Sequence, residues 1–114
     1  MNVPGGQYKT IVFHNAAVAT ADGDTLYVTE GVSGGLSVVG LQITGISGDT
    51  VTFETNVDGS NWVGILAENV TTGAEATTAT ANGVYRITCL GMTQIRARLT
   101  RVSGTVTVKG QAIA

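Results

Sequence analysis

From Thr50 to Val57 the residues alternate without a break. Val51, Phe53, Thr55 and Val57 fall on one side, and Thr52, Glu54 and Asn56 on the other. A period of two marks a strand with one face turned to a core, and a helix cannot use it. Directly afterwards Asp58-Gly59-Ser60-Asn61 supplies turn residues, so Trp62 to Leu66 is expected to return antiparallel.

The same logic marks further strands at Tyr8–Phe13, Thr25–Thr29, Leu36–Ile43 (opened by Gly34-Gly35) and Val84–Cys89, the last with Tyr85 and Ile87 inward. Met92 to Ser103 fits two periods. Ile95, Leu99 and Val102 sit at helical spacing, while Ile95, Ala97 and Leu99 also alternate with Arg96, Arg98 and Thr100. The flanks decide for a strand. Val102-Ser103-Gly104-Thr105 has the composition of a tight turn into Val106–Lys109, which predicts a hairpin. Ala74 to Asn82, mostly Ala and Thr, is expected to be a loop or a poorly anchored edge strand. Ser47-Gly48-Asp49-Thr50-Val51-Thr52-Phe53 is echoed by Ser103-Gly104-Thr105-Val106-Thr107-Val108, and two hairpin entries with shared turn chemistry would account for it.

Composition agrees. Val, Ile and Thr make up 40 of the 114 residues, Gly adds 16, and Pro occurs once. β-branched side chains suit a pleated surface, and glycine supplies turns. The expected fold is an all-β antiparallel β-sandwich of about seven or eight short strands, a jelly roll being one topology that fits. With no linker in the sequence, residues 8–114 read as a single domain. Residues 1–7 read as a flexible or extended arm, since Pro4, Gly5 and Gly6 cannot sustain an element and no side chain there is charged.

Several function classes lose support at this stage. Charged residues are only 12% of the chain, with a formal net charge of −2, which argues against nucleic acid or an anionic membrane as the main partner. No apolar stretch approaches the ~18 residues of a membrane span, and the amino end lacks the basic cluster and apolar run of a signal peptide. A single cysteine, Cys89, allows no internal disulfide and reads as a small buried hydrophobe. The triplet Asn69-Val70-Thr71 matches a glycosylation acceptor, a pattern short enough to arise by chance.

Catalytic chemistry is equally thin. The only histidine, His14, stands without a nucleophile elbow and reads as structural. One His and one Cys cannot assemble zinc ligands, and Asp22-Gly23-Asp24 lacks the other ligands of a calcium loop. No enzyme activity, cofactor or metal is expected. Four arginines crowd the last third. If Tyr85 and Ile87 point inward, Arg86 points outward, and Arg96 with Arg98 on the next strand is expected on the same outer face. Glu54 and Glu68 are available as partners. Such a face is either a solvated ladder of ion pairs or a docking surface for an acidic partner. Trp62, just past a turn, is expected to cover the edge of the core, a sugar-stacking role being the alternative.

Residues 50–66 together with Gly83-Val84-Tyr85-Arg86, Gly91-Met92, Ile95-Arg96-Ala97-Arg98 and Ser103–Val108 resemble a recurrent pattern in small virion proteins of tailed bacteriophages. The resemblance covers about half of the chain, all in its carboxyl-terminal part. It implies a β-sandwich acting as a structural or adhesive module, with no catalytic residues to carry over. The role expected from it is capsid decoration (cement): the protein would sit on the capsid exterior of the virion and bind the major capsid protein. Self-association follows from a Thr-rich, weakly charged surface, and the family habit favours a trimer. The alternative is a tail or fibre module that binds host surface glycans. Candidate capsid contacts are the arm residues Val3, Pro4, Gly5, Gly6 and Gln7, with Arg96 and Arg98 as a secondary surface.

Overall fold

The computed structural model describes residues 8–29 and 35–114. Among these there is no helix, and eleven strands form two antiparallel sheets. In chain order they are β1 (Tyr8–Ala17), β2 (Thr25–Tyr27), β3 (Val38–Thr44), β4 (Thr50–Asn56), β5 (Val63–Gly64), β6 (Ala67–Asn69), β7 (Glu75–Ala76), β8 (Thr78–Ala79), β9 (Gly83–Thr88), β10 (Gln94–Thr100) and β11 (Val106–Ile113). One sheet has the order β1-β11-β3-β9-β6-β7, the other β2-β10-β4-β5, with β8 added beside β4. The expected all-β sandwich is therefore present. The additional strands are two- and three-residue pieces, two of them inside the Ala/Thr stretch that reads as loop or edge. The predicted arm, with Val3 to Gln7, and Gly34 lie outside the described residues.

The core follows from the alternation. Leu41, Ile43, Ile87, Val106 and Val108 of the larger sheet meet Val51, Phe53, Ile95, Ala97 and Leu99 of the smaller one, all essentially inaccessible to solvent. Phe53 and Tyr85 join the two layers, with ring centroids 5.7 Å apart. The Tyr85 hydroxyl is not orphaned by this burial, because it donates to Ala81 O at 2.8 Å. Cys89 is fully buried, as its sequence context suggests, and desolvation raises its pKa.

Two expectations about neighbours fail. Val102–Thr105 is not a hairpin turn, because β10 belongs to the smaller sheet and β11 to the larger. The segment crosses between layers, as does the Gly45–Asp49 segment linking β3 to β4. The echoed motifs are thus two crossovers, and they bind each other: Ser103 Oγ donates to Ser47 O at 2.5 Å, and Asp49 accepts from the backbone of Val102, Ser103 and Gly104. Val57 is also misplaced by simple alternation. It is 66% exposed, while Asn56 before it is buried. The strand ends at Asn56, whose carbonyl and side chain are taken up by Thr93 N, Gln94 Oε1 and Gly59 N, and Val57 begins the turn.

β1 departs from plain alternation for a different reason. Its register against β11 slips between Val12 and His14 and again between His14 and Ala17. The first bulge turns two consecutive residues, Phe13 and His14, inward. His14 Nε2 then reaches across to Ala97 O of the other sheet at 2.6 Å, a structural tie of the kind its isolation in sequence suggests.

Candidate functional site

The outer face of the smaller sheet carries the densest cluster of chemically active side chains. Because Ile95, Ala97 and Leu99 point into the core, Arg96 and Arg98 must point out. The β10–β4 register sets Arg96 directly opposite Glu54, and Arg96 Nε donates to Glu54 Oε1 at 2.8 Å. Both side chains are only about 15% exposed. Asp22, from the turn between β1 and β2, lies 3.5 Å from Arg96 and 3.7 Å from Arg98.

Trp62 completes the cluster. Val63 pairs with Thr55, so Trp62 falls opposite Asn56 and shares the outward face of Glu54. Its ring reaches diagonally over the ion pair, with the Arg96 guanidinium carbon 4.1 Å from the ring centroid. At that distance the contact is a cation–π attraction. Trp62 therefore covers Arg96 and not the core edge, which corrects the expectation from its position after a turn. The turn itself is rigidly built. Asp58 accepts hydrogen bonds from Ser60 N, Asn61 N and Asn61 Nδ2, which hold its pKa down at about 2, and Gly59 takes the left-handed conformation with φ +82°.

Of the sequence candidates, the structure brings Arg96 and Arg98 together and separates Arg86 from them. Arg86 lies on β9 in the other sheet, 3.6 Å from Glu68. The outward direction was right, but the three guanidinium groups do not share a face. They sit on opposite outer surfaces of the sandwich. Both predicted carboxylate partners, Glu54 and Glu68, are engaged. Asn69 Oδ1 caps Thr71 N at 3.0 Å, so the glycosylation-like triplet is a turn. Among the described residues no group of three or more His, Cys, Asp or Glu is placed to hold a metal ion.

Asp49 is the residue that sequence reading missed. Fully buried at the crossover end, it accepts from Ser47 N at 2.8 Å and Gly104 N at 2.9 Å, besides Val102 N and Ser103 N. These backbone donors lower its pKa to about 2. The echo of Ser-Gly motifs was the available signal. On the larger sheet's outer face, a shallow groove of about 430 Å³ opens over Gly40, flanked by Thr10, Gln111 and Val84, with Lys109 the one charged side chain in its lining.

Two antiparallel sheets packed face to face, with polar outer faces, define an all-β sandwich module. Residues 7–112 match the XepA family model, and the chain belongs to that family. Two solved structures share its fold. The SPBc2 prophage-derived protein YomS aligns with a TM-score of 0.85 at 18% identity, over 100% of this chain and 99% of that one. The PBSX exported protein XepA aligns with a TM-score of 0.88 at 19% identity, over 100% of this chain and 40% of that one. This chain thus corresponds to about two-fifths of the longer XepA protein. Among curated proteins none matches this sequence.

Proposed function

We propose that this chain is a non-enzymatic, phage-related structural module, and specifically a decoration protein held on the capsid exterior by the major capsid protein. The observation that carries the phage assignment is membership of the XepA family over residues 7–112, alongside a solved fold relative that is prophage-derived. The surface fits a docking role. The outer face of the larger sheet mixes Thr10, Thr107, Gln42 and Gln111 with the exposed Val12 and Val84, and its charges are confined to Lys109 and the Arg86–Glu68 pair, so covering the part around Gly40 and Gln111 costs little charge hydration. Attachment is assigned to the arm, Val3 to Gln7, continuing into edge strand β1, because an extended segment can add backbone hydrogen bonds to a neighbouring sheet. Arg96 and Arg98 are secondary contacts in this reading, since Glu54 and Asp22 already face them. A trimer is the proposed assembly.

Copy number in purified particles tests the position. Hundreds of copies support decoration. A handful supports the second reading, a tail or fibre module binding host glycans, which the outward Trp62 favours. Removal of residues 1–7 tests attachment. Particle binding should vanish with unchanged melting, whereas full binding by the truncated chain and none by Arg96→Ala with Arg98→Ala would move the docking surface to the arginine face.

A further inference from the structure

The chain has a single tryptophan, and the fold spends it outside the core. Register places Trp62 on the outward face, and the largely buried Arg96 guanidinium lies beneath its ring. One face of the indole is therefore occupied, and the ring remains partly open to solvent. The ring is also held before any ligand arrives: Glu54 fixes Arg96 from the side, and the Asp58–Asn61 turn fixes the backbone leading into Trp62. A flat, immobilised aromatic surface bordered by hydrogen-bonding groups has lost its ordering entropy in advance.

We infer that the outward face of Trp62 is a stacking platform for a neutral saccharide. A pyranose ring presents an apolar C–H face that lies on the indole, while its hydroxyls meet polar groups at the margin. The adjoining turn offers Asp58, Ser60 and Asn61, all exposed, and Arg98 projects two residues along β10. Charge selects against other stacking ligands. Arg96 and Arg98 are matched by Glu54 and Asp22, so a nucleotide's phosphates would meet a surface with no spare positive charge. The inference rests on the second reading above, glycan binding, and deepens it by naming the surface and the class of sugar.

The lone tryptophan makes the test direct, because its emission reports on this surface alone. The intact chain is titrated with millimolar tri-N-acetylchitotriose, maltotriose and ADP, and is applied to an array of neutral and acidic oligosaccharides. The expected result is array binding to at least one neutral oligosaccharide, with a shift of Trp62 emission when that sugar is added. Trp62→Ala should abolish the binding, and Trp62→Phe, which keeps a flat face, should retain part of it. Arg96→Lys, which keeps the charge but not the planar guanidinium, should weaken it by about three- to tenfold. Thermal melting of each variant identifies any that do not fold. No array binding, binding undiminished in a folded Trp62→Ala, or an emission response to ADP alone would each overturn the platform.

Discussion

Gly104 N donates to Asp49 Oδ2 at 2.9 Å, and that bond joins two of the segments that carry the chain from one sheet to the other. The carboxylate is shared among four backbone donors in both crossovers. An acceptor with two oxygens and a full charge can satisfy such a set, and a carboxamide cannot. Asp49→Asn is expected to lower the melting temperature by on the order of 5 °C at neutral pH.

That loss should depend on pH with a definite sign. The folded-state pKa of Asp49 is about 2, below its ordinary 3.8, so ionisation favours the folded state. The contribution is complete above the unfolded value and disappears as pH falls through the folded one. Asp58, also held at about 2, acts in the same direction. Melting curves of wild type and Asp49→Asn should run apart above about pH 4 and converge towards pH 2. A constant gap across that range would refute the role given to Asp49.

Gly104→Ala probes the same contact from the other side. A Cβ at position 104 would collide with Asp49 Oδ2 and Gly45 O, and neither can move without breaking the crossover. Destabilisation of about 2 kcal/mol or more is expected in urea unfolding. Gly59→Ala is the contrasting case: its Cβ would meet nothing within 4 Å, leaving only the strain of a left-handed backbone.

Arg96→Ala should expose and release Trp62. Emission should move to longer wavelength, and stability should fall by about 1 kcal/mol through loss of the cation–π contact and of the Glu54 pairing. An unchanged emission maximum would mean that the ring does not depend on Arg96.

Cys89 should be silent in the folded protein. Its thiol is fully buried with a raised pKa, so a disulfide reagent such as dithionitrobenzoate should react at least about a hundredfold more slowly than in urea-unfolded chain. Rapid labelling under native conditions would place the thiol at the surface.

Strand positions were legible because the side-chain period of a strand is written in consecutive residues. Val51, Phe53, Tyr85, Ile87, Ile95, Ala97 and Leu99 all face inward as their spacing indicates. What alternation does not encode is which sheet a strand joins. Gly104 and its neighbours have turn composition whether the chain doubles back or crosses over, and only the packing of distant inward faces distinguishes the two. Arg86 was separated from Arg96 by the same ambiguity. His14 entered the core through a bulge, which shifts parity by one residue and has no local signature in Phe13-His14-Asn15. The Arg96–Glu54 pair was foreseeable, while the contact of Trp62 with it depended on a register set by two residues of β5.

The position of β11 carries a consequence for how the molecule is made. It is the last strand in chain order, yet it lies between β1 and β3 and pairs with both along nearly its whole length. During synthesis β1 has, among the described strands, no hydrogen-bonding partner in its own sheet until β11 appears about a hundred residues later. The larger sheet can therefore close only after the rest of the domain has left the ribosome, and its assembly is governed by a long-range encounter instead of by stepwise hairpin growth. A ribosome-bound chain halted before Val106 should leave Tyr8 to Ala17 open to proteolysis, and release of the final eight-residue strand should close it in a single cooperative step.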